Sequence, residues 1–298
     1  MTTMPLVVVG VDGSPESRGA VAWAAREAAR VGGPLRIVST WHSHAYPTSP
    51  FFIASVPEVV LEPEHTARVN VEQARQLAID VAPGIDVEVR TPGGPSAWTL
   101  LEHASDAQLL VIGGKNRSLL DRAVFGSVTT HAVTHAHCPV VVVREARGDD
   151  GVARQSRGPV LLGFDNSEGA RLAAEFAFEY AAGHELDVCV VETITHVLGA
   201  TSSSGQGDGD TNREYLAEAM ADFAMKYPTV VMTTDTAVGH PATVLLERAA
   251  GAELLVVGSR GRGWFEGMLL GSVSAALVHH APTSIAVVRE ISAQEVSL

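Results

Sequence analysis

The sequence predicts an α/β protein of two tandem doubly wound domains, each a parallel sheet with helices on both faces. Three observations carry that prediction. One stretch occurs twice, at Leu109 to Arg144 (LLVIGGKNRSLLDRAVFGSVTTHAVTHAHCPVVVVR) and at Leu254 to Arg289 (LLVVGSRGRGWFEGMLLGSVSAALVHHAPTSIAVVR), so the structural unit itself is repeated. Through each half, short apolar runs alternate with helical patterns, the order expected of parallel strands joined by helical crossovers. The apolar runs are almost unbroken in Val, Ile and Leu, as strands covered on both faces require.

In the first half, strands are predicted at Leu6 to Gly10, Leu35 to Thr40, Val87 to Thr91, Leu109 to Gly113 and Val140 to Val143. Helices fall between them at Glu16 to Arg30, His65 to Val81, Ala97 to Ala104 and Ser127 to His135. The first of these follows Ser14-Pro15, a pair suited to a helix start. The second half repeats the order, with strands at Val160 to Gly163, Val188 to Glu192, Val230 to Thr234, Leu254 to Gly258 and Ser284 to Val288. Its helices are predicted at Gly169 to Ala182, Arg213 to Tyr227, Ala242 to Ala250 and Ser272 to His280. The polar segment EARGDDGVARQSRG separates the halves, giving domains at 1–146 and 159–298 with a linker at 147–158. After the second strand of each half come Ser43 to Pro63, rich in proline, and Gly199 to Asp210, rich in small polar residues; both read as surface loops near the carboxyl ends of the strands.

With 298 residues, 46% of them hydrophobic, the chain has material for two full cores. Its 21 basic residues against 34 acidic ones leave a net charge of -13, which argues against nucleic acid or an anionic membrane as partner, since both reward a basic face. A small ligand or a protein partner remains. The only cysteines are Cys138 and Cys189, one per half, so no disulfide framework is suggested and a reducing compartment fits. Residues 1–5 carry no basic region, and no apolar run approaches the ~20 residues needed to cross a bilayer. The reading is a soluble, cytoplasmic protein.

The chemistry concentrates in two places. In the second copy the spacing is Gly258-x2-Gly261-x9-Gly271-Ser272, and in the first Gly113-x2-Asn116-x9-Gly126-Ser127. A glycine that ends a strand, a second that permits a positive-φ turn and a Gly-Ser pair that opens a helix together bring backbone N–H groups to one point, which makes an anion cradle. At the start of each half an apolar strand ends in a carboxylate, GVDGS with Gly10 and Asp12, and GFDNS with Gly163 and Asp165. Open α/β sheets bind ligands at that rim, although the simpler role of such an Asp is to cap the next helix.

These residues, with the tails HAHCPVVVVR and HAPTSIAVVR, resemble the universal stress protein family in a tandem, ATP-binding form. The resemblance covers nearly the whole chain apart from linker and termini. It implies a five-stranded parallel sheet of order 3-2-1-4-5 in each half and ATP, with Mg2+ as its companion, between the ends of strands 1 and 4. It places Asp12 and Asp165 at the adenosine end, lined by Thr40 and Thr193 after strand 2. It assigns phosphate and ribose contacts to Gly113, Gly126, Ser127 and Val128 in the first half and to Gly258, Gly261, Gly271, Ser272 and Val273 in the second. Asn116 stands where the family pattern has glycine, so the two sites are expected to be unequal; Asn tolerates a left-handed turn but crowds a phosphate. The implied role is a nucleotide-dependent stress or signalling factor with little or no turnover and an unidentified protein partner. Strands that join domains in this family imply packing of the halves through Val140 to Val143 and Ser284 to Val288, and a homodimer of the whole chain is compatible with the same reading.

Other signals are weaker. His131, His135, His137 and Cys138 mimic a metal cluster, but the second copy has His279 and His280 without a cysteine. Asp208-x-Asp210-x-Asn212 imitates the start of a calcium loop, yet Arg213 replaces the needed glycine. Trp41, directly after strand 2, suits core packing better than base stacking. Two rivals remain: an ATP-using transferase or hydrolase, whose usual loop motifs do not occur, and an interaction module that binds no nucleotide.

Overall fold

The computed structural model describes residues 4–42, 63–114, 126–144, 158–194, 208–261 and 269–290, with the backbone alone for 208–214. The chain divides into two compact units, Met1–Val143 and Arg144–Leu298. In the first unit the order is β1 (Val7–Gly10), α1 (Pro15–Val31), β2 (Leu35–Val38), α2 (Pro63–Val81), β3 (Val87–Arg90), α3 (Ser96–Glu102), β4 (Leu109–Gly113), α4 (Ser127–His135) and β5 (Val140–Val143). The second runs β6 (Val160–Gly163), α5 (Glu168–His184), β7 (Val188–Ile194), α6 (Asp208–Lys226), β8 (Met232–Val238), α7 (Pro241–Ala249), β9 (Leu254–Gly258), α8 (Ser272–His280) and β10 (Ser284–Val288).

Every pairing within a unit is parallel, in the order β3-β2-β1-β4-β5 in the first and, in the same sense, β8-β7-β6-β9-β10 in the second. This is the predicted 3-2-1-4-5 order. It makes β1 and β6 the strands from which the chain first winds one way and later the other, so a crevice opens beyond their carboxyl ends, beside β4 and β9. The central strands are apolar throughout because helices cover both faces: Val8, Val9, Leu110, Val111, Leu161, Leu162, Leu255 and Val256 are all buried. Each such side chain contributes roughly 1.5–3 kcal/mol by leaving water.

Small residues set how closely the helices approach. The face of α1 against the sheet is Ala20, Ala24 and Ala28, and that of α5 is Ala170, Ala173, Ala174, Ala177 and Ala181. Both helices are side-chain capped at their starts, Ser14 accepting from the Ser17 N–H and Ser167 from the Ala170 N–H.

Boundaries differ from the sequence reading in the second unit. Helix α6 begins at Asp208, inside the stretch expected to be loop. The strand expected at Val230 to Thr234 runs instead from Met232 to Val238. Val230 is buried in the turn after α6, its N–H donating to the Tyr227 carbonyl, while β7 continues to Ile194 and pairs β8 along its length. Thr193 consequently lies within β7, opposite Ala237, and not after the strand. The segments 43–62, 115–125, 145–157, 195–207, 262–268 and 291–298 lie outside the described residues, and with them Asn116, most of both expected loops and almost all of the linker.

Helix C-termini give a direct internal comparison. Gly32 closes α1 at φ 67°, whereas its counterpart Glu185 closes α5 at φ 56°. A side chain in that left-handed conformation costs about 1 kcal/mol, which glycine avoids. Glu185→Gly is therefore expected to raise the melting temperature of the second unit by about 2–4 °C, read by calorimetry. An unchanged or lower value would show that Glu185 gains more from its surroundings than it loses in backbone strain.

Candidate functional site

Each unit builds the same arrangement at the carboxyl end of its first strand. In the second, the Asp165 Oδ1 atom accepts from both the N–H (3.1 Å) and the hydroxyl (2.6 Å) of Ser167, and that hydroxyl oxygen accepts from the Ala170 N–H at 3.2 Å. In the first, Asp12 Oδ1 accepts from the Ser14 N–H (3.0 Å) and hydroxyl (2.5 Å), and the Ser14 oxygen accepts from the Ser17 N–H at 3.2 Å. The aspartates are thus not the helix caps; Ser14 and Ser167 are, and each Asp orients its serine. Sequence reasoning passed over these serines as partners, although D-G-S and D-N-S recur at matching positions.

The electrostatics of Asp12 follow from this cage. Burial by its neighbours pushes the carboxyl up, but hydrogen bonds from the Ser14 hydroxyl and N–H and from Ser17 outweigh it, leaving Asp12 below the ordinary aspartate range. A carboxyl depressed in the folded state adds stability that is complete above its unfolded value and lost as pH falls through the folded one. Asp12→Asn should therefore lower the urea midpoint near neutrality and flatten its fall below about pH 4. Parallel wild-type and variant profiles would show that the cage carries no charge-dependent stability.

The second half of the site comes from the chain after β9. Gly261 lies against Asp165: a Cβ there would sit 2.3 Å from Asp165 Oδ2. The expected positive-φ turn is absent at this position; Gly261 is not among the left-handed glycines, and what demands a missing side chain is the carboxylate beside it. The strand then connects to α8 through Gly271, whose N–H donates to the Ser259 carbonyl at 2.8 Å. Ser274, in the first turn of α8, turns its hydroxyl back to the Gly258 carbonyl at 2.6 Å. No side chain caps α8 at Gly271 or α4 at Gly126, in contrast to the serine-capped α1 and α5. Among the described residues no side chain caps the first-turn N–H groups of α4 and α8, where Ser127 and Ser272 are exposed and Val128 and Val273 half-buried.

The remaining sequence candidates divide by what touches them. A Cβ on Gly113 would fall 2.6 Å from the Glu16 carbonyl carbon, and one on Gly258 would fall 2.7 Å from that of Gly169, so both glycines let a helix N-terminus press on a strand. Gly10 and Gly163 make room for Leu100 and Leu245, at 2.8 Å in each case. Among the described residues, nothing lies within 4 Å of a Cβ placed on Gly126. Thr40 is half-buried just past β2. Trp41 packs against Gly93 and donates from Nε1 to the Thr91 carbonyl at 3.1 Å, so its ring serves the fold.

His131 and His135 stack on each other, Trp98 meets His131 edge-on and lies tilted to His135, and Asp208, Asp210 and Asn212 lie in the first turns of α6. Among the described residues no group of three His, Cys, Asp or Glu side chains is placed to hold a metal ion, and no helix is long and apolar enough to cross a membrane. Burial pushes the Cys138 thiol up to about 12, which keeps it protonated within the core.

Two α/β units of parallel strands, each with an aspartate-serine arrangement at the end of its first strand, define a tandem architecture of the doubly wound class. The universal stress protein family profile matches residues 4–144 and 157–289, and the chain belongs to that family, with two copies of its domain in tandem. A universal stress protein of Mycolicibacterium smegmatis is 36% identical over 295 residues, covering 95% of this chain and 96% of its own length. One from Mycobacterium tuberculosis is 33% identical over 300 residues, with 95% and 97% covered. Among solved structures, a universal stress protein from Archaeoglobus fulgidus superposes with a TM-score of 0.70 at 17% identity, covering 95% of this chain and 98% of that one, a likeness of fold.

Proposed function

We propose that each unit binds ATP at the rim formed by the end of its first strand and the start of its last helix, and that the bound nucleotide sets the affinity for a protein partner in a cytoplasmic stress or signalling response. The observation that supports this most is the contact of Asp165 with Gly261. It joins the carboxylate rim to the segment that delivers the uncapped start of α8, so a hydrogen-bonding carboxylate and a set of backbone donors belong to one surface. Asp165 and Asp12 would take the adenosine end, and the N–H groups at Gly271, Ser272 and Val273, or at Gly126, Ser127 and Val128, the phosphates. A divalent ion bound with ATP would offset triphosphate charge.

Turnover is expected to be slow or absent. Asp12 and Asp165 each orient a capping serine through one carboxylate oxygen, which supports a positioning role at the rim over that of a general base. The two sites are read as unequal because Asn116 replaces glycine in the first. Titration calorimetry of the full chain with ATP, GTP and NAD tests the reading: ATP should bind with up to two sites and more tightly than GTP. Equal or tighter GTP binding would overturn the adenine assignment, and no binding of any of the three would leave an interaction module.

A further inference from the structure

The first unit carries an aromatic and imidazole cluster that the nucleotide reading does not use. His131 and His135, one turn apart on α4, stack with ring centroids 4.1 Å apart and planes inclined by 27°. Trp98 of α3 meets His131 edge-on at 4.2 Å and His135 at 5.5 Å, yet remains 60% exposed. The His131 Nε2 atom is buried without a hydrogen-bond partner, while His135 Nδ1 donates to the His131 carbonyl at 3.1 Å.

The internal repeat shows that the fold does not require this cluster. Aligned from Leu109 and Leu254, the second copy has Thr243, Ala276 and His280 where the first has Trp98, His131 and His135. Nevertheless α7 packs on α8 there as α3 packs on α4 here. One tryptophan and one histidine therefore stand in the first copy where the second has threonine and alanine, and the helices pack in both.

We propose that Trp98, His131 and His135 form a proton-sensitive clasp between α3 and α4: the uncharged rings hold the helices together, and charging the stacked pair releases α4. A proton on His131 would put a charge on a buried nitrogen that meets no acceptor among the described residues, against the stacked ring of His135. The groups facing the pair offer little compensation. Besides Trp98, α3 contributes Glu102, which is exposed and forms no ion pair with either ring among the described residues, and is followed by His103, whose Nδ1 is bound to the Thr99 carbonyl at 3.0 Å. Helix α4 has no other titratable side chain, and β5, which also packs on it, is four valines. Burial and the neighbouring His135 hold His131 below the usual imidazole value, so the clasp is closed near neutrality.

Hydrogen exchange and tryptophan fluorescence of the full chain between about pH 7.5 and about pH 5.5 test the clasp without nucleotide. The difference in emission between wild type and Trp98→Phe isolates Trp98, and its intensity should change across this range. In the same range the amides of α4, corrected for intrinsic exchange rate, should lose protection severalfold while those of α8 do not. His131→Ala, which installs the residue of the second copy, should abolish both changes, with His131→Gln as the alternative if the alanine variant does not fold. Constant protection of α4 across the titration, or a full pH response in the folded His131 variant, would overturn the proposal.

Discussion

Gly271→Glu is expected to remove ATP binding from the second unit and leave the first unit's binding unchanged. Two effects act together. The new Cβ would lie 3.3 Å from the Ser259 carbonyl oxygen, a tight but tolerable approach, so sterics alone should shift the start of α8 only slightly. The carboxylate is decisive, because it would stand at the uncapped helix start, where it can take the N–H groups that a phosphate would use and repel the phosphate itself. A loss of at least about a hundredfold in affinity, roughly 2.7 kcal/mol, is expected for that site. Gly271→Ala separates the causes, since it adds the Cβ without the charge and should lose less than about tenfold. Calorimetric stoichiometry, with circular dichroism to confirm folding, gives the answer. Full occupancy of both sites in Gly271→Glu would mean that the glycine motif only shapes the turn.

How legible the protein was in its sequence depends on where each signal lies. Strands β4, β5, β6, β9 and β10 and helices α4 and α8 stand at the residues expected of them, because unbroken Val-Ile-Leu runs and a Gly-Ser helix start are local and unambiguous. Strand β8 was not readable in the same way. It is a sheet edge that pairs only with β7, so threonine and aspartate are tolerated in it, while the apolar Val230 that imitates a strand is spent on a turn. The start of α6 was hidden by residues that serve equally well in a loop and at a helix N-terminus.

For the site, sequence identified the carboxylates and the glycines but not the reasons for them. A missing side chain reads the same whether a phosphate, a carboxylate or a helix needs the room. The structure separates these cases: Gly261 faces Asp165, Gly113 and Gly258 face helix backbone, and Gly126 meets nothing among the described residues. The linking role of Ser14 and Ser167 was equally hidden, since an Asp two residues before a Ser signals a capping turn without saying which of the two caps.

That separation yields the largest expected effect on stability, at Gly258. A methyl group there would lie 2.7 Å from the Gly169 carbonyl carbon, 2.9 Å from its oxygen and 3.1 Å from the Ala170 nitrogen. All three are backbone atoms of α5, so no side chain can rotate away, and the first turn of the helix must move off β9. Gly258→Ala should therefore cost about 1–3 kcal/mol or more, as overpacked cores do. The displaced turn contains the Ala170 N–H that Ser167 caps, and Ser167 is bound to Asp165, so the same variant should weaken ATP binding in the second unit without touching the phosphate end. Gly113→Ala should behave alike in the first unit, where the Cβ would meet Glu16 and Ser17 backbone atoms at 2.6–2.8 Å. Gly126→Ala is the contrast: with φ at -55° and none of the described residues within 4 Å of the new methyl, its stability should stay within about 0.5 kcal/mol of wild type. Urea unfolding of the three variants decides the matter. Equal midpoints for Gly258→Ala and Gly126→Ala would show that α5 can recede from β9 at no cost, and that the strand-end glycine is kept for a ligand and not for the packing of its own helix.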